Sequence, residues 1–222
     1  MPHADDTAVE RAVRSFAAAM IGLAVHELNN RLAVMRETLG LLEDLAHAGK
    51  TGAAGTARAH SSLEDQVGRA LNIVRTLSGF GGALGANEAG FDVGATTRDL
   101  LGLTERWARQ HALRIDLEVA DRLPPAGGDP GLFLCLAHRL LVGCAATLRS
   151  GGSIAVRVDH DGSGIRLGLH PAGERSAGAP APGTDDDGIN RELARRLGAE
   201  LGFGGGGAPT IRLATLLERA PK

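Results

Sequence analysis

His26-Glu27-Leu28-Asn29-Asn30-Arg31-Leu32-Ala33-Val34 is the stretch that decides how this chain is read. It sits within a long apolar run of Val9, Val13, Phe16, Met20 and Leu23, then Leu28, Leu32, Met35, Leu39 and Leu42. Steps of three and four keep these side chains on one face of a helix that packs in a bundle. A single skip of five, from Leu23 to Leu28, shifts the stripe as it passes His26 and leaves the histidine at the edge of the seam. His26 and Asn30 share a face at i, i+4, while Glu27 lies about 100° round the helix. A surface imidazole with a carboxylate beside it can take a phosphoryl group on nitrogen and later give it up. The plainer alternative is a surface histidine on an ordinary amphipathic helix, and only structural context lifts this one above it. A zinc-protease reading fails, because Asn30 stands where that pattern needs a second histidine.

Composition narrows the class. At 222 residues the chain suits one large or two small domains. A formal net charge of −2 gives no broad attraction to nucleic acid or to anionic lipid. The two cysteines, Cys135 and Cys144, fall on one predicted helix, about 13 Å apart by helical rise and too far for a bridge. Buried thiols in a reducing cytosol are the expectation. No apolar run approaches the ~20 residues that span a bilayer, and the N-terminus is acidic rather than signal-like. A cytoplasmic protein without a membrane sensor, taking its input from a soluble partner, is therefore expected.

The pattern predicts a first helix from about Asp6 to Ala48, with Thr7 as its cap. A Gly/Ala/Thr turn covers Gly49 to Gly55. A second amphipathic helix carries Leu63, Val67, Ala70, Leu71, Val74 and Leu77 and ends near Ser78, before Gly79, Gly81 and Gly82. Two such helices fold back as a hairpin. One hairpin leaves its apolar stripe wet, so a homodimer with a four-helix bundle is expected, through residues 1–80. Gly81 to Gly90 reads as a linker. Residues 91–222 then form a second domain: a short strand at Phe91–Val93, a helix from Ala95 to His111, and a strand from Leu113 to Val119. A helix follows from Pro130 to Arg149, then a hairpin of Ile154–Val158 and Ile165–Leu169 about Asp161-Gly162-Ser163-Gly164. Ala177 to Asp187 is a loop, Ile189 to Leu201 a helix, and Thr210 to Leu217 a closing strand. This mixture indicates an α+β sandwich.

HELNNRLAV, His26 to Val34, resembles the phosphoacceptor box of sensor histidine kinases, in which a dimerising helical hairpin displays the histidine. That family usually reads histidine-acid-x-x-asparagine followed by proline. Here Arg31 stands at the proline position, which removes a kink-prone site and predicts a straighter helix. The order of elements from Phe91 to Leu217 resembles the GHKL-type ATP-binding domain of the same kinases. Its nucleotide motifs, however, are largely missing. The two asparagine positions of the family's helical box hold Arg139 and Gly143, the adenine-binding aspartate's position falls near His170, and the second glycine box runs Gly183-Thr184-Asp185-Asp186-Asp187-Gly188. Glycines there let backbone N–H groups approach phosphates, whereas three carboxylates repel a triphosphate. Asp185 to Asp187 also admit a metal reading, with acidic helix-start residues as the simpler one. His138 reads as a core histidine and Arg191, Arg195 and Arg196 as a solvated helix face. Gly204 to Gly207 precedes a strand, so a turn is expected.

The resemblance implies a histidine phosphotransferase of a phosphorelay, built like a kinase with a dead ATP domain. In that role His26 accepts the phosphoryl group from a response-regulator receiver's aspartate and passes it to another receiver. Glu27 holds or deprotonates the imidazole, and Asn30 orients the phosphoryl group or a water. No cofactor is expected on this chain; Mg²⁺ comes with the receiver. A pseudo-kinase regulator, a receiver phosphatase and a divergent active kinase stand as alternatives.

Overall fold

The computed structural model describes residues 4–49, 52–85, 90–176, 178, 188–204 and 207–216. Helix α1 runs unbroken over Ala4–His47, through Arg31, and α2 over Ala53–Gly85. The two pack against each other as the expected hairpin. Because α1 starts at Ala4, Thr7 lies inside its first turns and does not cap it. The second helix also outlasts its predicted end. It passes Ser78 and carries on through Gly79, Gly81 and Gly82 to Gly85, into the expected linker, and Phe80 among these glycines is buried and packs edge-on to Phe16 at 5.4 Å. Burying an aromatic ring outweighs the roughly 1 kcal/mol that each helical glycine costs.

Three helices and one sheet make up the rest: α3 (Val93–Gln110), β1 (Arg114–Val119), α4 (Pro130–Ala146), β2 (Ser153–His160), β3 (Ile165–Ala172), α5 (Ile189–Leu197), β4 (Ala199–Phe203) and β5 (Pro209–Leu213). Asp92 caps α3 by accepting from the Ala95 N–H at 2.9 Å. The expected strand at Phe91–Val93 therefore shrinks to a single bridge, Phe91 with Ala126. Asp129 caps α4 the same way, accepting from the Gly131 and Leu132 N–H groups, with Pro130 at the first helical position. Gly94 lets α3 lie close on β1, since a Cβ there would come within 2.7 Å of Val119 Cγ1.

The sheet order is β1-β2-β3-β5-β4, with β1 parallel to β2 and the other neighbours antiparallel. Register places buried residues opposite one another, Val156 with Leu169, Val158 with Leu167 and Leu167 with Ile211. Their alternate neighbours Arg157, Arg166 and Arg212 face outward and pair with Glu118, Asp159 and Asp161. Strand β4 corrects the long helix expected over Ile189 to Leu201. Gly198, at φ 69°, ends α5 in a left-handed cap, and Ala199–Phe203 turns back along β5. The expected loop at Ala177 to Asp187, with its three aspartates, lies outside the described residues apart from Gly178.

Layers stack in order: sheet, then α3, α4 and α5, then the hairpin. The upper half of α1 is stitched to the sandwich by Val9, Phe16, Met20 and Ala24, all buried. Below Ala24 no apolar residue of α1 is buried, and Leu32, Val34, Leu39 and Leu41 are exposed. His26 sits just past that boundary. Among the described residues no helix is long and apolar enough to cross a membrane.

Candidate functional site

His26 is exposed on α1, and its ring makes no hydrogen bond or ion pair among the described residues. Asn30, one turn below, is half-buried, and its amide is likewise unengaged. His26, Asn30, Val34 and Leu41 follow one line down the helix, and the last two are exposed apolar residues. A different face carries Ile21, Val25, Leu32 and Leu39, also exposed, and α2 adds Val67, Leu71 and Val74. On a helical wheel that stripe lies roughly 120° from His26, so the apolar seam and the imidazole do not compete for the same space.

Glu27 points elsewhere. One carboxylate oxygen accepts from Arg31 and the other from Arg106 Nη1 at 3.3 Å, so α1 is tied to α3 of the sandwich. Arg31 also donates to Gln66 Oε1 at 3.3 Å, while its Nε is buried without a partner. Burial pushes the Glu27 carboxyl up, but the hydrogen bonds and charges of Arg31 and then Arg106 outweigh it and hold it below the ordinary carboxylate range. Around this group lies a cleft of about 110 Å³ walled by Leu23 and Ile73 and by Arg69, Glu105 and Arg109.

The positions where the resemblance expects nucleotide-binding asparagines line a second cleft, of about 610 Å³, between α1, α4 and the start of α5. Arg139 does not point freely into it, since its Nε donates to Asn190 Oδ1 at 2.7 Å. His138 lies against Phe16 with ring centroids 5.1 Å apart and planes tilted by 42°, and burial, then the neighbouring Arg139 charge, lowers its pKa to about 4. The expected satisfied core histidine is thus half-buried at the wall of the cleft, and its ring makes no hydrogen bond among the described residues. Cys135 and Cys144 are free and buried, their thiols pushed up by burial to about 11 and about 12. No group of histidine, cysteine and acidic residues among the described residues is arranged to hold a metal.

No family model matches the chain, and no curated protein sequence does. Solved structures do. Histidine kinases are prominent among its structural neighbours. The Acinetobacter baumannii histidine kinase AdeS superposes with a TM-score of 0.48 at 17% identity, over 86% of this chain and 98% of that one. Histidine kinase ThkA in complex with the response regulator protein TrrA gives 0.49 at 12%, over 99% and 69%. A bacterial phosphotransferase gives 0.45 at 17%, over 90% and 95%. At such identities the residues of this chain have to carry any functional reading.

Two members of the site escaped the sequence. Arg31 stands four residues after Glu27, a spacing that by itself signals an ion pair. Arg106 gave no signal at all, because it lies 79 residues away and only the docking of α3 on α1 brings it to Glu27.

Proposed function

We propose that this protein is a histidine phosphotransferase, relaying phosphoryl groups between receiver-domain aspartates through His26 without ATP. The observation that carries the reading is an exposed, unengaged imidazole at the lower edge of the docked sandwich, above an open face of the hairpin. A nucleophile with nothing covering it suits a donor that arrives as a folded domain with its own Mg²⁺. One imidazole nitrogen forms the N–P bond as the P–O bond to the donor aspartate breaks, and the proton on the other nitrogen passes to Glu27. Asn30 orients the phosphoryl group. The exposed line of Val34 and Leu41 below His26 offers the receiver an apolar footing.

A homodimer belongs to this reading, supported by the exposed apolar residues Ile21, Val25, Leu32 and Leu39 of α1 and Val67, Leu71 and Val74 of α2. Loss of ATP use is supported by the Arg139–Asn190 hydrogen bond at the nucleotide face and by Gly143 in place of an amide. Calorimetry with Mg-ATP is expected to give nothing tighter than millimolar. Micromolar binding, or labelling of His26 by ATP alone, would favour the divergent-kinase reading, for which the 610 Å³ cleft leaves room. The relay itself is tested by incubating the protein with labelled phospho-receivers and asking for an acid-labile, base-stable label.

A further inference from the structure

Glu27 is shared between two parts of the fold. Arg31, one turn along α1, takes one oxygen, and Arg106 of α3 takes the other. The second partner is present only because Val9, Phe16, Met20 and Ala24 seat the sandwich on α1. The side chains of Glu27 and Arg106 are 17% and 28% exposed, so solvent and salt screen the pair far less than a surface contact. The same cleft presents Arg69 from α2 and Glu105 and Arg109 from α3. Arg69 is occupied by Asp65 at 3.0 Å. Arg31 and Arg106 are therefore the cations that bind the Glu27 carboxylate, and His26 is the neighbouring group left without it.

We propose that Arg106 is a positioning residue that makes the reactivity of His26 depend on the docking of the sandwich: while α3 is seated, Arg31 and Arg106 hold both oxygens of Glu27 away from the imidazole, and release of Arg106 frees one oxygen to serve the ring. The proposal rests on His26 as phosphoacceptor. The step it governs is the proton transfer that completes N–P bond formation, from the imidazolium N–H to the Glu27 carboxylate. A carboxylate bound to two guanidiniums is a poor proton acceptor, and one turned toward α3 is misaligned with the ring. Both defects are relieved together when Arg106 leaves, since Arg31 still occupies only one oxygen. Phosphoryl acceptance is thereby coupled to a movement of the sandwich, although no residue of the sandwich takes part in the bond exchange.

The full chain is compared with Arg106→Ala, Arg106→Lys, Glu27→Gln and the Arg106→Ala/Glu27→Gln double variant. Phosphoramidate serves as donor; its P–N bond breaks, ammonia departs, and ³¹P NMR reads the phosphohistidine formed. Arg106→Ala is expected to accelerate His26 phosphorylation about tenfold, a part of the 10²–10⁴ that a positioned base contributes. Arg106→Lys is expected to restore the slow rate, and the Glu27→Gln background to abolish the acceleration. Independently of transfer, the Glu27 carboxyl ¹³C resonance is expected to titrate at higher pH in Arg106→Ala. An unmoved Glu27 titration, or an equal effect of Arg106→Ala with and without Glu27, overturns the proposal. Absence of label on His26 in every variant, with the Glu27 titration still shifted, overturns the phosphoacceptor reading instead.

Discussion

A carboxylate beside a nucleophilic imidazole helps it only when an oxygen is free to face the ring, and in Glu27 both oxygens have other partners. That explains why its acidity matters as much as its position. Its pKa lies below the unfolded value, so the Glu27 ion pairs stabilise the folded chain above the ordinary carboxylate range, and that contribution is lost as pH falls through the depressed value. Replacing Glu27 by Gln keeps the shape and removes the charge. Once Arg106 has released an oxygen, the loss of Glu27 is expected to slow transfer from a phospho-receiver by roughly 10²–10⁴-fold if Glu27 takes the proton, and less if it only orients the ring. Single-turnover rates over a pH series measure this, and an unchanged rate would remove Glu27 from the chemistry. The His26–Asn30 relation was legible in sequence because helix geometry alone sets it. The commitment of Glu27 to Arg106 was not, because no local pattern encodes a contact 79 residues apart.

At the scale of elements, periodicity found α1, α3, α4 and the β2–β3 hairpin, whose stripes and turn residues are local signals. It misplaced ends wherever a distant partner decides. Phe80 anchors the glycine-rich end of α2 on Phe16 of α1, and β4 exists because β5 offers a free edge after Gly198 stops α5. The contact between α1 and α4 has a measurable pH signature. His138 is packed under Phe16 and stays neutral down to about pH 4, whereas an unfolded histidine takes its proton near 6.5. The unfolded chain thus binds more protons between those values, and stability falls as pH drops from about 6.5 toward 4, by up to about 3 kcal/mol. Urea denaturation at pH 7 and pH 4.5 is expected to show the loss in the wild type and a shallower one in His138→Leu. An equal slope in both would show that His138 is not the group responsible.

For the whole molecule, the docked sandwich covers the upper half of α1 and leaves the lower half bare. Bare apolar stripes on both hairpin helices predict association. Light scattering at micromolar concentration is expected to give twice 22.9 kDa, and Val25→Glu combined with Leu71→Glu to give the monomer. A wild-type monomer would remove the four-helix bundle from the account. The central claim is that His26 carries the phosphoryl group. It is tested most directly by mixing a ³²P-labelled phospho-receiver with wild-type protein and with His26→Ala, after confirming that both have the same fold and association state. Losing one exposed side chain is expected to alter stability by no more than about 0.5 kcal/mol. Acid-labile, base-stable label is expected on the wild type and none on the variant. Label on another histidine of His26→Ala, or none on the wild type, would contradict it.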